Sequence, residues 1–207
     1  LITGISGSLI TDGNATDTDY QDDNRMNPSF QAFLESNKGH DMDFIAGIGY
    51  KMDKTKFYLF PSAGYGIHRQ LLYLNEKENP DPERILNSSY QPVWKGAYFS
   101  FIGGFKSNSS SEFKAGANYH QVNYQAKANW NLADDFAHPI SFRHDAKGFG
   151  IEANIQYKRH LNQGCSLLIS STYFHWSTGK GIDELYKSDG QIIRTRLNDV
   201  TRKGWNI

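Results

Sequence analysis

The sequence predicts an all-β chain, folded as an antiparallel up-and-down barrel that crosses a membrane with its strands. Three observations favour this class: an aromatic-rich composition, stretches in which apolar and polar residues alternate, and connections that alternate between short and long. Aromatic residues make up 14% of the chain, a share typical of pleated structure. The chain has no apolar run long enough for a transmembrane helix, but a membrane strand needs only about 9 to 11 alternating residues.

The alternation is clearest in the range 149–157, where every second residue is apolar. Strands are predicted, in chain order, at 1–11, 43–52, 57–74, 90–106, 112–130, 149–157, 164–185 and 192–207. An apolar face of this kind forms the core of a soluble sandwich or meets lipid in a membrane barrel. Periodicity alone therefore leaves both architectures open.

The lengths of the connections separate the two architectures. Short connections are predicted at 53–56, 107–111 and 159–163, and long ones at 12–39, 76–88 and 131–140. Barrels of the bacterial outer membrane combine short periplasmic turns with long outer loops. We therefore expect one barrel domain over residues 1–207 in that membrane. Because a partial strand is predicted at each end, we expect the chain to be a fragment of a larger barrel that does not close by itself.

The charge balance and the single cysteine exclude several classes of function. The chain has 22 basic and 22 acidic side chains, so net charge gives no sign of nucleic-acid binding. Cys165 has no partner for an intrachain disulfide, and the histidines lack metal-ligand spacing. We expect neither a resident metal nor a cofactor.

An acidic stretch, DGNATDTDYQDDNR at 12–25, is the strongest candidate for a site. Its carboxylates belong to Asp12, Asp17, Asp19, Asp22 and Asp23. Carboxylates this close raise one another's pKa, and such clusters bind cations, attract basic ligands or activate water. Three interpretations stay open: a solvated loop, a calcium loop, and a water-orienting pair formed by Asp17 and Asp19, which share a side of extended backbone. An EF-hand would need Gly and Glu where Asp22 and Pro28 stand.

A water-orienting pair needs a general base, and His138 in ADDFAHP (133–139) is the leading candidate. It lies in a long connection on the same side as the acidic stretch. Asp134 and Asp135 are near enough in sequence to orient its ring. A loop histidine without a role is the alternative. His144 with Asp145 forms a second, reversed pair.

Four short motifs follow one another along the chain. The first motif is Asp-x-Asp-aromatic at 17–20, and the second is Ala-Gly-Tyr at 63–65, followed by Arg69. The third is Tyr-x-x-x-aromatic-Lys at 90–95, and the last is a loop His-Pro followed by aromatic-Arg-x-x-x-Lys at 142–147. In the order of these motifs, the chain resembles the omptins, outer-membrane endoproteases of Gram-negative bacteria with a barrel of about ten strands. The resemblance extends from about Ile2 to the end of the chain.

This resemblance implies particular roles for individual residues. Asp17 and Asp19 would be the aspartate pair, and Asp135 with His138 the dyad, with Asp134 as its alternative or as a substrate-binding carboxylate. Tyr65, Arg69 and Lys147 would bind lipopolysaccharide, which would act as activator, while Val93 replaces another basic residue. The first strands of the family's barrel would precede Leu1, and its last would follow Ile207.

Three hypotheses about function follow. In the first, the protein is a surface-facing endopeptidase that cleaves peptides or proteins near basic residues with an Asp/His-activated water. In the second, it is a non-catalytic barrel, a porin, adhesin or lipopolysaccharide-binding protein. Phe136 favours this second hypothesis. In the family the dyad aspartate lies two positions before the histidine, and Phe136 occupies that position before His138. In the third, it is a soluble β-sandwich that binds calcium through residues 12–23.

Overall fold

The computed structural model describes residues 1–22, 25–76, 86–108, 110–162 and 164–207. In chain order its strands are β1 (Ile2–Ile10), β2 (Asn14–Tyr20), β3 (Pro28–Gly49), β4 (Met52–Asp53), β5 (Phe57–Glu76), β6 (Ser88–Asn108), β7 (Ser111–Asn129), β8 (Phe142–Asn162), β9 (Cys165–Tyr186), β10 (Ile192–Leu197) and β11 (Thr201–Asn206). No helix in these ranges is long and apolar enough to cross a membrane.

The strands form one antiparallel, up-and-down sheet, which confirms the predicted fold class. Its order is β1-β3-β5-β6-β7-β8-β9-β10. β2 continues β1 along β3, and β11 continues β10 along β9, so each pair acts as one long interrupted strand. Within the described residues no ladder joins the first of these edges to the last, and the sheet is not closed.

An apolar band crosses the lower half of the sheet on its outer face, from β5 to β9. Its lower edge is the cross-strand row Phe57, Phe105, Phe113, Tyr157 and Ile169. Its upper edge is the row Tyr65, Ala97, Gln121, Phe149 and Ser177. None of the outward-facing side chains between these rows, all in described ranges, is Asp, Glu, Lys or Arg. The span of 57–65 on β5 matches the length that a membrane strand requires, so this band is the lipid-facing surface.

Large side chains fill the interior just above and within this band. Trp94, Tyr124 and Trp176 are at most 2% exposed. The rings of His68 on β5 and Trp176 on β9 lie 4.6 Å apart, although three strands separate them in the sheet. The sheet is therefore curled enough for its inner face to pack against itself, as in a barrel.

The structure corrects the predicted long loop at 12–39. Residues 14–20 form β2 and pair with β3, which begins at Pro28 instead of near residue 43. Likewise β8 begins at Phe142 and not at residue 149. Above the apolar band both faces of a strand can meet water, so strand pairing there needs no apolar alternation. The predicted connection at 131–140 is confirmed, and most of the one at 76–88 falls outside the described residues.

One ion pair links β3, near the first edge of the sheet, with β11, at its last edge. Arg202 Nη2 lies 2.7 Å from Asp41 Oδ2, and their side chains are 20% and 9% exposed. The Arg202 guanidinium also lies 4.5 Å from the centre of the Phe174 ring. Because β3 and β11 share no ladder, this pair helps to hold the two edges together through side chains.

Breaking this pair is expected to destabilise the barrel. Arg202→Met leaves Asp41 with an uncompensated buried charge, which costs about 3 to 5 kcal/mol. Urea unfolding, followed by heat-modifiable migration on gels, measures the change. The double variant Asp41→Leu/Arg202→Met should recover most of the loss, since it removes both charges. Equal losses in the single and double variants would show that the pairing itself contributes nothing.

Candidate functional site

Two aspartates from the acidic stretch point to the same side of β2, above the apolar band. Asp17 and Asp19 are two residues apart in a regular strand and pair with Ala32 and Phe30 of β3. Asp17 is partly buried and Asp19 exposed. Burial raises the pKa of Asp17 to about 6, and the negative charge of Asp19 adds to this effect. The two carboxylates thus lie on one side of the strand and interact electrostatically, and their role as a water-orienting pair stays a prediction.

A histidine on the opposite wall is held between a carboxylate and two tyrosines. His144 Nε2 on β8 lies 3.6 Å from Asp183 Oδ1 on β9. On its other side, His144 Nδ1 lies 3.0 Å from the Tyr90 hydroxyl, which is hydrogen-bonded to the Tyr124 hydroxyl. Asp183 Oδ2 accepts a hydrogen bond of 3.4 Å from Thr195. We call His144, Asp183, Tyr90 and Tyr124 the histidine cluster.

The aspartate pair and the histidine cluster are within electrostatic reach of each other. Burial raises the pKa of Asp183 to about 6, and the charges of Asp19 and Asp17 raise it further. Burial also lowers the pKa of His144 to about 4, so its ring is neutral at neutral pH. All four groups lie above the apolar band, at the end of the sheet that carries the long connections. The charges of Asp17 and Asp19 therefore act on the carboxylate beside His144, the histidine that the sequence ranked second.

The predicted base, His138, lies in the connection between β7 and β8. Its ring is exposed, and its Nδ1 lies 2.6 Å from Asn129 Oδ1. Asp134 and Asp135 are also exposed, and the Asp135 carbonyl accepts a hydrogen bond from the Ser188 amide. Since the Asn129 oxygen can only accept, His138 donates from Nδ1. The pairing of Asp135 with His138 stays a prediction.

The sequence did not identify Asp183 as the partner of His144 and indicated Asp145, the next residue in the chain after His144. Asp145 follows His144 in a strand, so the two side chains point to opposite faces. Asp145 is exposed on the outer face, where it accepts a hydrogen bond from Gln125. Asp183 is the residue paired with His144 across the ladder between β8 and β9, beyond a register shift at Ala146/Gly148. Only the strand register could have identified it.

The three predicted lipopolysaccharide residues lie on the outer wall. Tyr65 is 48% exposed at the upper edge of the apolar band, and Arg69 is exposed four positions above it on the same strand. Lys147 is exposed on β8. Lys95 lies between them on β6 and donates a hydrogen bond to Gln125. These side chains form a basic strip directly above the lipid-facing surface.

Metal ligation finds no further support in the described ranges. No group of three or more His, Cys, Asp or Glu side chains there is arranged to hold an ion. Asp22 accepts a hydrogen bond from Asn27, and Asp23 lies outside the described residues. Cys165 is exposed with a free thiol.

Comparison with solved structures identifies the class of protein. The outer membrane protease OmpT from Escherichia coli superimposes with a TM-score of 0.67 at 14% identity, over 98% of this chain and 77% of that one. Together with the apolar band, this similarity defines an outer-membrane β-barrel with an omptin-like fold.

The family is given by a sequence model. Residues 7–207 match the model described as Protochlamydia outer membrane protein (Pom), and the chain belongs to that family. No curated protein sequence matches the chain. The predicted location in the bacterial outer membrane is confirmed by the family and by the structural neighbour.

Proposed function

We propose that the protein is a surface-facing endopeptidase that cleaves next to Lys or Arg with an activated water. The observation that carries this proposal is the placement of Asp17 and Asp19 within electrostatic reach of the His144–Asp183 couple. Four groups that can orient, deprotonate and stabilise a water and its products would then act on one water at the barrel mouth.

The hydrogen bonds of the histidine cluster suit a general base. When Tyr90 donates to Tyr124, its oxygen accepts from the Nδ1–H of His144, and Nε2 keeps its lone pair. Asp17 and Asp19 would orient a water through its hydrogens, and Nε2 would take one proton as the oxygen attacks the peptide carbonyl. Asp183, 3.6 Å from Nε2, would stabilise the resulting imidazolium. That proton then passes to the leaving amine, which leaves an acid and an amine as products.

The charge at the mouth supports a basic substrate. Two acidic side chains near the site are already neutralised, Glu184 by Arg194 and Asp199 by Arg25, both at 2.8 Å. Asp17 and Asp183 remain available to a Lys or Arg side chain. Bringing such a cation close would lower their pKa values and favour the ionised form that orients water.

An assay with dibasic peptides tests this proposal. Refolded protein mixed with lipopolysaccharide should cleave a quenched fluorescent peptide containing Arg-Arg, and not the same peptide with Gln-Gln. Lipopolysaccharide would act by ordering the outer wall, so Arg69→Gln/Lys147→Gln should need roughly tenfold more of it for half-maximal rate. Lys54→Gln, at the short-turn end, controls for the loss of a positive charge away from the basic strip. An intact Arg-Arg peptide at every lipopolysaccharide concentration would refute the proposed activity.

A non-catalytic barrel is the second candidate, and Phe136 favours it. Where an omptin-type dyad would place its aspartate, Phe136 pairs with Lys187, whose Nζ lies 4.4 Å from the ring centre. Because large side chains such as Trp94 and Trp176 fill the interior, an adhesin or a lipopolysaccharide-binding protein is favoured over a porin. Lipopolysaccharide binding without peptide cleavage would be the expected result for this candidate.

A further inference from the structure

Three lysines lie in one cross-strand row on the inner face of the sheet, at the short-turn end. The Lys106 amide donates to the Lys56 carbonyl over 2.8 Å, so the pairing of β5 with β6 continues one residue below Phe57. Lys106 pairs with Glu112 of β7, which pairs in turn with Lys158 of β8. Neighbouring residues of a strand face opposite sides, and Phe57 belongs to the outward aromatic row, so these side chains face inward. We call Lys56, Lys106 and Lys158 the lysine row.

The carboxylates near the lysine row already have other partners. Glu112 Oε2 lies 3.7 Å from Lys114 Nζ, and Glu112 also accepts a hydrogen bond from the Tyr58 hydroxyl. Asp53 Oδ1 lies 3.0 Å from Lys51 Nζ. Within the described ranges, no Asp or Glu side chain lies within ion-pairing distance of the lysine row. The lysine row therefore carries an excess of positive charge.

Two of these lysines repel each other directly. Lys56 and Lys106 lie opposite one another on neighbouring strands, and like charges in that arrangement destabilise an antiparallel ladder. Both side chains are exposed, and Lys158 is half-buried. Natural sequences break a local rule of this kind mainly at functional sites, where another gain offsets the cost. An anion bound between the lysines would remove the repulsion.

The cationic part of the interior is shallow and is closed toward the mouth. The next inner row above the lysine row contains Lys114, and the row after that contains the apolar side chains of Phe60 and Ile102. Higher in the interior, His120 and Trp176 are at most 3% exposed. Inward residues of one strand recur about every 7 Å, so the two cationic rows span about that depth. This space suits a compact anion better than a polymer.

We propose that the lysine row binds a compact multivalent oxyanion of the diphosphate class, which enters from the periplasm. The short turns place this end of the barrel on the periplasmic side. Lysine ammonium groups bind phosphate oxygens as point charges, and a recess lined by charge of one sign concentrates ions of the opposite sign. Because the lysine row faces the interior, the sheet separates it from the lipid-facing surface. The ligand is therefore a soluble anion and not a lipid headgroup.

Calorimetric titration with inorganic diphosphate tests this assignment. The refolded protein is kept in an uncharged maltoside detergent at low ionic strength, and wild type should bind the anion saturably. Lys56→Gln/Lys106→Gln/Lys158→Gln should lower the affinity by about tenfold or more, because three attractive charges are removed. Glu112→Gln should raise the affinity several-fold, since it removes a negative charge from the same row and keeps an oxygen for the Tyr58 hydroxyl.

A matched control separates this site from general charge effects. Arg69→Gln/Lys95→Gln/Lys147→Gln removes the same number of positive charges from the outer wall and should leave the affinity for diphosphate unchanged. Heat-modifiable migration verifies that every variant is folded. Equal affinities in the two triple variants, or the absence of saturable binding to wild type, would overturn the proposal. Tighter binding of a tetraglutamate peptide would overturn the assignment to an oxyanion, and displacement of diphosphate by equimolar dioleoylphosphatidylglycerol the assignment to a soluble ligand.

Discussion

His144→Ala is expected to lower cleavage of a dibasic peptide by about 10²- to 10⁴-fold, the usual contribution of a general base. The ring of His144 is the group that the structure places between Asp183 and Tyr90. Rates are compared at saturating lipopolysaccharide, with refolding verified for each variant.

Two further variants show whether the effect is specific to His144. His138→Ala removes the base favoured by the sequence and should retain most activity. Tyr90→Phe removes the oxygen that fixes the His144 tautomer, so it should shift the pH profile and lower the rate less than His144→Ala does. Full activity in His144→Ala, together with loss of activity in His138→Ala, would show that the general base is His138 in the connection between β7 and β8.

Asp17→Asn is expected to abolish cleavage and to stabilise the fold. Because burial raises the pKa of Asp17 to about 6 from its ordinary value of 3.8, the folded state binds the proton more tightly than the unfolded state. This contribution to stability is complete below the unfolded pKa and is lost as the pH rises through about 6. At neutral pH, removing the charge should therefore gain about 1 kcal/mol, less than the shift itself corresponds to, because water screens a partly exposed carboxylate.

Measurements at two pH values distinguish this expectation from a general effect of the substitution. The gain in urea midpoint for Asp17→Asn should be present at pH 7.5 and absent at about pH 3, below the unfolded pKa. In wild type, the cleavage rate should rise as the pH increases through about 6, when Asp17 ionises. Asp12→Asn, an exposed change in the same acidic stretch, is the control and should alter neither quantity. A destabilised Asp17→Asn at neutral pH would show that the carboxylate is part of a structural network instead.

The strands could be predicted from the sequence where they face lipid. In the apolar band every outward residue must be uncharged, so the alternation of apolar and polar residues in the range 149–157 was visible directly. Above the band, β2 and the first part of β3 have water available to both faces, and their polar residues suggested a loop. The pairing of β2 with β3 was therefore missed because it continues above the membrane, where strands need no apolar face.

The candidate site could be predicted only in part, for a related reason. Asp17 and Asp19 are close in sequence, so their spacing sufficed to place them on one side. The partner of His144 comes from another strand, and its identity depends on the register between β8 and β9. A one-residue shift in that register would turn Asp183 to the outer face. The sequence carries no local signal of this kind, and nearby carboxylates at Asp134 and Asp135 directed attention to His138.

The length of the strands determines where substrate would be met. β9 has 22 residues, of which only 169–177 belong to the apolar band. The part of β9 above the band extends by about 3.3 Å per residue along the strand, and strand tilt reduces the height that this adds. The mouth therefore stands well clear of the bilayer. Macromolecules that never pass the outer membrane could reach it, and peptide fragments released there would leave into the surroundings instead of the periplasm.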